Sequence, residues 1–232
     1  MIMKIFSLEN DIIFSEECIN VLQIQDKKLF ANVINSLNDN INGIQNTKER
    51  IIILDNDTEI KMEKEALMVI DLFNIDFNQK KIQSALYNKI EKIYKQEFER
   101  MSEFQTLFQK LQLNVLDVFN EFPFEFNYKD SIGIQEYLKL LGLKISNNKG
   151  EIIDKIFSLI DAVEYLSVAK LLIFVNLKLY LSDDELNEIY KYAMYKKVNI
   201  LLIETGEEKE PIKNEKILFV DSDYDEIILY NK

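Results

Sequence analysis

Histidine is absent from this 232-residue chain, and cysteine occurs once, at Cys18. Serine and cysteine hydrolases normally use an imidazole as general base, and most zinc sites use histidine or several cysteines. The composition therefore argues against both kinds of site. A single cysteine also excludes a disulfide framework within the chain, so we expect a reducing setting and a small buried side chain at Cys18, not a reactive thiol.

Glycine is scarce as well, and none of the five glycines has the spacing of a Walker phosphate loop. That loop needs two glycines at fixed spacing, followed by Lys and Ser or Thr, so that the backbone can wrap around phosphates. The glycines of this chain are Gly43, Gly133, Gly142, Gly150 and Gly206. We therefore expect a protein that binds or assembles, and not an enzyme.

The chain carries 28 basic and 40 acidic side chains, which gives a net charge of −12. A generic DNA coat is disfavoured, because affinity for nucleic acid comes mostly from Lys and Arg that neutralise phosphates. A sum over the whole chain does not exclude a local basic stripe, and an acidic excess suits divalent cations. Neither a signal-peptide pattern nor an apolar run of membrane-spanning length occurs, so we expect a cytoplasmic protein with no membrane partner.

Residues 1–76 are typical of the first part of an α/β head. Strands are expected at 3–7, 19–24, 50–54 and 66–70, and one helix is expected between them. Asp26 can cap that helix, which should run through about Leu37. The continuous apolar run at 50–54 predicts a strand that is covered on both faces.

Residues 77–147 predict a helical leg. Between Asn78, the expected N-cap, and Phe119 there is neither Gly nor Pro, and apolar residues recur about once per helical turn. This pattern predicts one very long helix or two helices end to end. At about 1.5 Å per residue the segment would reach ~60 Å, so it would have to protrude or pack against a partner.

Local signals mark the return from the leg. Pro123 is expected to end the long helix, and Asp130 is expected to open a second helix that runs through Leu141. Gly142 is well placed to stop that helix.

Residues 148–232 predict the second part of the head. The expected elements are helices at 151–166 and 183–195 and strands at 170–175, 199–203, 217–220 and 227–230. Ser182 and Glu185 form a capping box for the second of these helices. Two apolar strands joined by a helix of this length are normally parallel.

Several segments of the chain are similar to one known family. Near the C-terminal end these are Lys170–Asn176, Tyr180–Glu185 and Asn199–Glu204, and further upstream they are Asp71–Asn78 and Ile134–Ile145. In this order they resemble the CRISPR-associated Csn-type adaptation proteins of subtype II-A systems. No segment is a catalytic fingerprint, so the resemblance rests on their order along nearly the whole chain.

The resemblance implies both a fold and a function. The fold would be an α/β head related to P-loop ATPases, without a working phosphate loop, interrupted by a long α-helical leg. The protein would be a homotetrameric ring that binds calcium and threads linear double-stranded DNA through its channel. It would serve spacer acquisition beside the CRISPR integrase complex and the effector nuclease, without enzymatic activity. The missing phosphate-loop glycines agree with this independently.

The resemblance places calcium near the junction of leg and head, where the acidic residues are Glu121, Glu125, Asp130 and Glu136. Carboxylates on a flexible loop are suitable calcium ligands. From the residues alone, a solvated turn is the favoured interpretation of this stretch. A second acidic cluster at 221–226 lacks the EF-hand glycine and terminal glutamate, so we expect a turn between two strands there.

Binding to DNA without regard to sequence needs lysines that reach phosphates. We expect this role for Lys139, Lys144 and Lys149, which surround the return from the leg. The other lysine groups are Lys89, Lys92 and Lys95 on the long helix and Lys196 and Lys197 after the last helix. Each group alone is also typical of a solvated surface, but a ring would gather several copies around one channel.

Two other functions stay open at this point. An acidic adaptor that binds protein partners would account for the net charge. A degenerate P-loop protein would bind nucleotide in the head. The aromatic and methionine residues of the long helix predict packing or an oligomer contact; they are Tyr94, Phe98, Met101, Phe104 and Phe108.

Overall fold

The structure is a computed structural model that describes residues 1–44, 47–146 and 150–231. The chain divides into two compact units, one formed by Met1–Asp76 with Asn147–Lys232 and the other by Phe77–Ser146. We call the first unit the head and the second the leg.

The head is built on two β-sheets. Its strands are β1 (Ile2–Ile5), β2 (Ile12–Ile13), β3 (Ile19–Ile24), β4 (Ile51–Asp55), β5 (Thr58–Ile60), β6 (Ala66–Val69), β7 (Leu171–Val175), β8 (Asn199–Thr205), β9 (Glu215–Val220) and β10 (Glu226–Asn231). The smaller sheet has the strand order β2-β1-β4-β5 and is antiparallel. The main sheet has the order β10-β9-β3-β8-β7-β6.

The helices of the head connect and cover these strands. They are α1 (Lys27–Ile41), α2 (Met62–Glu65), α6 (Ile152–Leu166) and α7 (Asp183–Lys196), with a 3₁₀ turn, η1, at Leu177–Leu179. The leg contains α3 (Lys80–Gln96), α4 (Phe98–Phe119) and α5 (Ile134–Leu140).

The main sheet is parallel except for its edge strand β10, which returns antiparallel to β9. β3 and β7 are buried along their whole length, as their continuous apolar sequences require. The expected strand–helix–strand unit is confirmed, because β7 and β8 are parallel neighbours joined by α7. The mixed α/β class is thus confirmed, whereas the relation to P-loop ATPases stays a prediction.

Two predicted helix caps are present in the head. The Asp26 carboxylate accepts a hydrogen bond from the Leu29 backbone N–H at 2.6 Å and begins α1. At the start of α7, the Ser182 and Glu185 side chains each accept from the other residue's backbone N–H. These caps satisfy N–H groups that the first turn of a helix leaves without partners.

The predicted burial of one strand in the head is wrong. β4 was expected to be covered on both faces, but only Ile51 and Ile53 are buried, at 6% and 0% exposure, while Ile52 and Leu54 are partly exposed. The reason is that β4 belongs to the antiparallel sheet, which has one covered face. The expected turn at 221–226 is confirmed as the connection between β9 and β10.

The long helical segment of the leg is two helices that meet at Glu97, whose backbone is extended with φ −108° and ψ 91°. Tyr94 of α3 and Phe104 of α4 have ring centroids 6.1 Å apart. Ten residues of straight helix would separate them by about 15 Å, so the chain bends between the two helices.

Two predicted helix starts in the leg are wrong. α3 begins at Lys80, and the Asn78 side chain instead binds the backbone of Ile145. α5 begins after Gly133 and not at Asp130, because side chains of α4 hold the preceding segment by its carbonyl groups. Gly142 does end this helical stretch, with a φ of +66° that glycine adopts readily.

Candidate nucleic-acid interface

The return segment of the leg is anchored on α3. Ile134 and Leu138 of α5 are 2% and 7% exposed and pack with Tyr87 of α3 in a small apolar core. The Tyr87 hydroxyl, at the edge of this core, donates a hydrogen bond to the Leu143 carbonyl at 3.1 Å. α5 and the turn after it are therefore held in a defined position within the leg.

Asn78 adds a second anchor to the return segment. Its amide oxygen accepts from the Ile145 N–H at 2.8 Å, and its amide nitrogen donates to the Ile145 carbonyl at 2.9 Å. These two bonds satisfy the backbone N–H and carbonyl groups of Ile145, as a neighbouring strand would do in a sheet. Lys144 thus lies between two fixed residues, Leu143 and Ile145.

The predicted DNA-binding lysines fall at this anchored segment. Lys139 lies on α5 and Lys144 follows the Gly142 turn, and both are exposed. Lys149, the third residue of the prediction, lies outside the described residues. A lysine on a fixed backbone loses less freedom when it meets a phosphate, so this arrangement favours anion binding.

Three lysines of the alternative groups form ion pairs. Lys95 lies 2.8 Å from Glu91 on α3, and Lys196 lies 2.8 Å from Asp161. Lys197 is 3.8 Å from Glu16. Each of these ammonium groups would have to leave its carboxylate before it could contact DNA.

Charge is distributed very unevenly between the two units. Residues 77–146 carry ten Lys and Arg against nine Asp and Glu, which leaves 18 basic and 31 acidic residues for the rest of the chain. The leg is thus close to neutral, and the head carries the whole acidic excess. A contact with DNA phosphates is electrostatically more favourable on the leg than the net charge of the chain indicates.

The predicted calcium ligands do not converge within one chain. Among residues 1–44, 47–146 and 150–231, no three acidic or thiol side chains come close enough to hold a metal ion. Glu136 is already used: Lys129 donates to it at 2.6 Å and the Gly133 N–H at 3.1 Å. These bonds, with that from Lys129 the larger cause, lower the pKa of Glu136.

The residues Glu121, Glu125, Asp130 and Glu136 therefore do not fit a calcium ion in the arrangement seen here. Glu121, Glu125 and Asp130 are exposed on the irregular segment between α4 and α5. Calcium binding by this set would need the segment to rearrange or a second chain to supply ligands. Calcium stays a prediction of the resemblance.

α4 carries an apolar stripe that is exposed in the single chain. The stripe consists of Leu107, Leu111, Val115 and Val118, whose exposed fractions are 58%, 63%, 48% and 50%. Their spacing places them on one helix face, and α4 has no buried residue. The predicted aromatic and methionine residues are a different set, and of these Tyr94 of α3 and Met101 and Phe104 of α4 pack in the leg core.

No helix in the described part of the chain has the length and apolar character that a membrane span requires.

Comparison with known proteins supports the resemblance. The family model of the CRISPR-associated protein Csn2 matches residues 43–224. The chain is 24% identical over 190 residues to a CRISPR-associated protein Csn2 of Streptococcus agalactiae, covering 79% of this chain and 80% of that protein. It is 29% identical over 144 residues to a CRISPR-associated protein Csn2 of Enterococcus faecalis, covering 60% of this chain and 64% of that protein.

A solved structure shares the fold. The crystal structure of Stu0660 of Streptococcus thermophilus superimposes with a TM-score of 0.62 at 13% sequence identity, covering all of this chain and 77% of that one. Because the family model spans most of the sequence, from within the head through the whole leg and back, the assignment does not depend on one segment. The chain belongs to the Csn2 family of CRISPR-associated proteins.

Proposed function

We propose that this protein is a non-enzymatic homotetrameric ring that binds linear double-stranded DNA during CRISPR spacer acquisition. The proposal rests mainly on the charge of the leg. The leg has a net charge close to zero, and Lys139 and Lys144 are exposed on its anchored return segment. Phosphate contacts of this kind read no base sequence, which suits the capture of arbitrary DNA.

The apolar stripe of α4 supports assembly. Burial of apolar surface is worth about 25 cal/mol per Å², so four large aliphatic side chains on one face favour a packed partner over water. A second copy of this chain offers the same stripe, so the stripe accounts for a symmetric pair of subunits, and a tetramer would add a second contact between such pairs. Assembly would bring several copies of Lys139 and Lys144 around one axis and raise the local positive charge.

The helix starts in the head disfavour the nucleotide-binding alternative. Phosphate groups bind well at helix N-termini whose N–H groups are free. Here Asp26 occupies the N-terminus of α1, and the first turn of α7 contains Asp183, Asp184 and Glu185. These carboxylates would repel a nucleotide phosphate at both helix starts.

A second candidate function rests on the head. Its large acidic excess favours an adaptor that binds basic protein surfaces, such as those of the integrase complex or the effector nuclease. The two functions are compatible, because they use different parts of the chain. An adaptor without a ring would retain no DNA at moderate salt.

The shape of the DNA substrate tests the proposal. Linear duplex and covalently closed circular duplex of equal length and sequence are compared in a gel-shift titration. A ring that loads over DNA ends binds the linear form and leaves the closed circle free. Equal affinity for both forms would contradict end loading, and an unshifted linear duplex would leave the adaptor as the better function.

A further inference from the structure

Four ionisable side chains are buried together in the head: Lys178 of η1, Tyr190 of α7, Glu204 of β8 and Glu215 of β9. Lys178 Nζ lies 2.9 Å from Glu215, and the Tyr190 hydroxyl donates to Glu215 at 2.6 Å. The side chains of Lys178 and Glu215 are only 8% and 0% exposed. This pair is therefore a closed ionic contact, in which one positive and one negative charge cancel.

Glu204 is the second carboxyl group of this cluster, and among the described residues it has no ammonium group of its own as a partner. It is 4% exposed, and its Oε1 accepts the backbone N–H of Lys178 at 3.1 Å, while the backbone N–H of Leu177 also faces its carboxyl group. The charged groups that face it are the Lys178 ammonium, already held by Glu215, and Lys209. Tyr190 of α7 faces the same cluster and stays protonated, since burial and Glu215 raise its pKa.

Gln23 is the neighbour of Glu204 on the adjacent strand. The two residues are register partners in the parallel pair of β3 and β8, so their side chains leave the sheet side by side on one face. The Gln23 amide nitrogen donates to the Glu207 carbonyl in the loop after β8. Its Oε1 is buried and, within the described residues, finds no hydrogen-bond donor.

A protonated Glu204 would remove both defects at once. A buried acceptor without a donor is unfavourable, and so is a buried carboxylate whose nearest ammonium group is already paired. The neutral acid has one O–H to donate and a carbonyl oxygen with two lone pairs to accept, which matches the Gln23 acceptor on one side and the Lys178 and Leu177 N–H groups on the other. Consistent with this, burial raises the pKa of Glu204 to about 7.

We propose that Glu204 is a proton-operated latch: in its acid form its O–H donates to Gln23 Oε1 and ties β8 and the 206–214 loop to β3. When pH rises, the proton leaves to water, the Gln23 contact is lost, and a buried carboxylate remains at Glu204. The charge is relieved by loosening η1 and the loop that Gln23 holds through Glu207. The latch therefore senses pH close to neutrality, at the carboxyl end of β8.

Unfolding of the full chain at different pH values tests the latch. A raised pKa in the folded state means that the stability is complete below the ordinary pKa of 4.5 and is lost as pH rises through about 7. Glu204→Gln keeps the shape and supplies both an N–H donor and an oxygen acceptor without titrating. Wild type and Glu204→Gln should melt together near about pH 5, and the variant should melt roughly 5–10 °C higher near about pH 8.5.

Two controls keep the test specific. Glu208→Gln removes an exposed carboxylate from the same loop and should follow the wild-type pH profile. Gln23→Leu removes the proposed acceptor, so the pH midpoint should move toward lower values. A difference between wild type and Glu204→Gln that does not change with pH, or a less stable Glu204→Gln at high pH, would overturn the latch and indicate an ionised Glu204.

A measurement on folded wild-type protein makes the result independent of folding defects. The infrared carbonyl band of a protonated carboxylic acid should be present near about pH 6 and vanish above about pH 8, and it should be missing from Glu204→Gln at both values. Hydrogen exchange of the 206–214 loop, corrected for intrinsic rates, should accelerate over the same interval in wild type alone. If no such band exists near pH 6, Glu204 is not the acid proposed here.

Discussion

The head and the leg differ in how far they bury their apolar side chains. In the head, β3 and β7 are buried along their whole length, and a continuous core fills the space between the sheets and α1. In the leg, a small apolar cluster is built on the buried residues Tyr87, Ile134 and Leu138, and the 22-residue α4 buries none of its residues.

This difference shows where each unit obtains its stability. The head has a large buried core and also contains a buried ionic cluster. The leg fixes its return segment by internal packing, while the stripe of α4 is exposed. Helices depend on tertiary packing for most of their stability, so we expect assembly to stabilise α4 further.

The largest effect is expected from Glu215→Gln in the head. It leaves the buried Lys178 ammonium without its counter-charge, which should reduce the free energy of unfolding by about 3–5 kcal/mol. Urea denaturation measures the loss. The double variant Lys178→Met, Glu215→Gln removes both charges and should recover most of it, whereas Glu204→Gln should cost nothing at high pH. Equal stabilities for Glu215→Gln and wild type would show that the ion pair is not buried in solution.

The next largest effect should appear in assembly, and it concerns the leg alone. Leu107→Lys combined with Leu111→Lys places two charges in the stripe and should convert the oligomer to smaller species, since each buried leucine contributes about 1.5–3 kcal/mol. Mass in solution, by light scattering, gives the result. Gln109→Lys adds a charge at an exposed polar position of α4 and should leave the mass unchanged. An unchanged mass for the leucine variant would assign assembly to another surface.

A smaller effect is expected on DNA binding. Reversal of Lys139 and Lys144 to glutamate should weaken binding of linear duplex at least about tenfold and lower the salt slope by about one per lost phosphate contact. The same reversal at Lys191 and Lys213, exposed residues of the head, is the matched control and should change binding little. If the head variant loses as much affinity as the leg variant, the contrast in charge between the two units does not determine where DNA binds.

The smallest effect should come from calcium. Because the four predicted ligands do not converge in one chain, calcium should stabilise the assembled protein and not the Leu107→Lys, Leu111→Lys variant. A site at ten times its Kd adds about 1.4 kcal/mol. Thermal unfolding of chelator-stripped protein, with and without calcium, measures this. Glu125→Gln should abolish the increase in melting temperature with calcium. If the melting temperature of the wild-type protein does not change in millimolar calcium, the predicted calcium site is wrong.

Elements with local end signals could be predicted from the sequence. Asp26 and the pair Ser182 and Glu185 cap the helices that they were expected to cap, and Gly142 adopts the left-handed turn that ends α5. These signals work because cap and helix are neighbours in the chain. The resemblance to the Csn-type family was likewise carried by short segments in a fixed order.

Long-range contacts explain the failures. Asn78 is of a residue type that commonly caps helices, but its side chain binds Ile145, which lies 67 positions away in the sequence. Asp130 fails as a helix start because Gln105 and Gln112 of α4 bind the carbonyl groups of Ile132 and Lys129. No local pattern contains that information.

The buried charges of the head were equally invisible in the sequence. Glu204 stands in a stretch that also fits an ordinary strand end, and Glu215 closes a charged loop. Only the register between β3 and β8 and the reach of Lys178 show that both are inside.

The single thiol of the chain offers a measure of motion in the main sheet. Cys18 is 8% exposed at the start of β3, with its sulfur 3.4 Å from the Ser15 hydroxyl. Because so little of the side chain is exposed, a reagent that modifies thiols should react faster whenever the N-terminal end of β3 loosens. The rate of labelling, taken with and without bound DNA, would therefore report how often the centre of the main sheet opens, without any added probe.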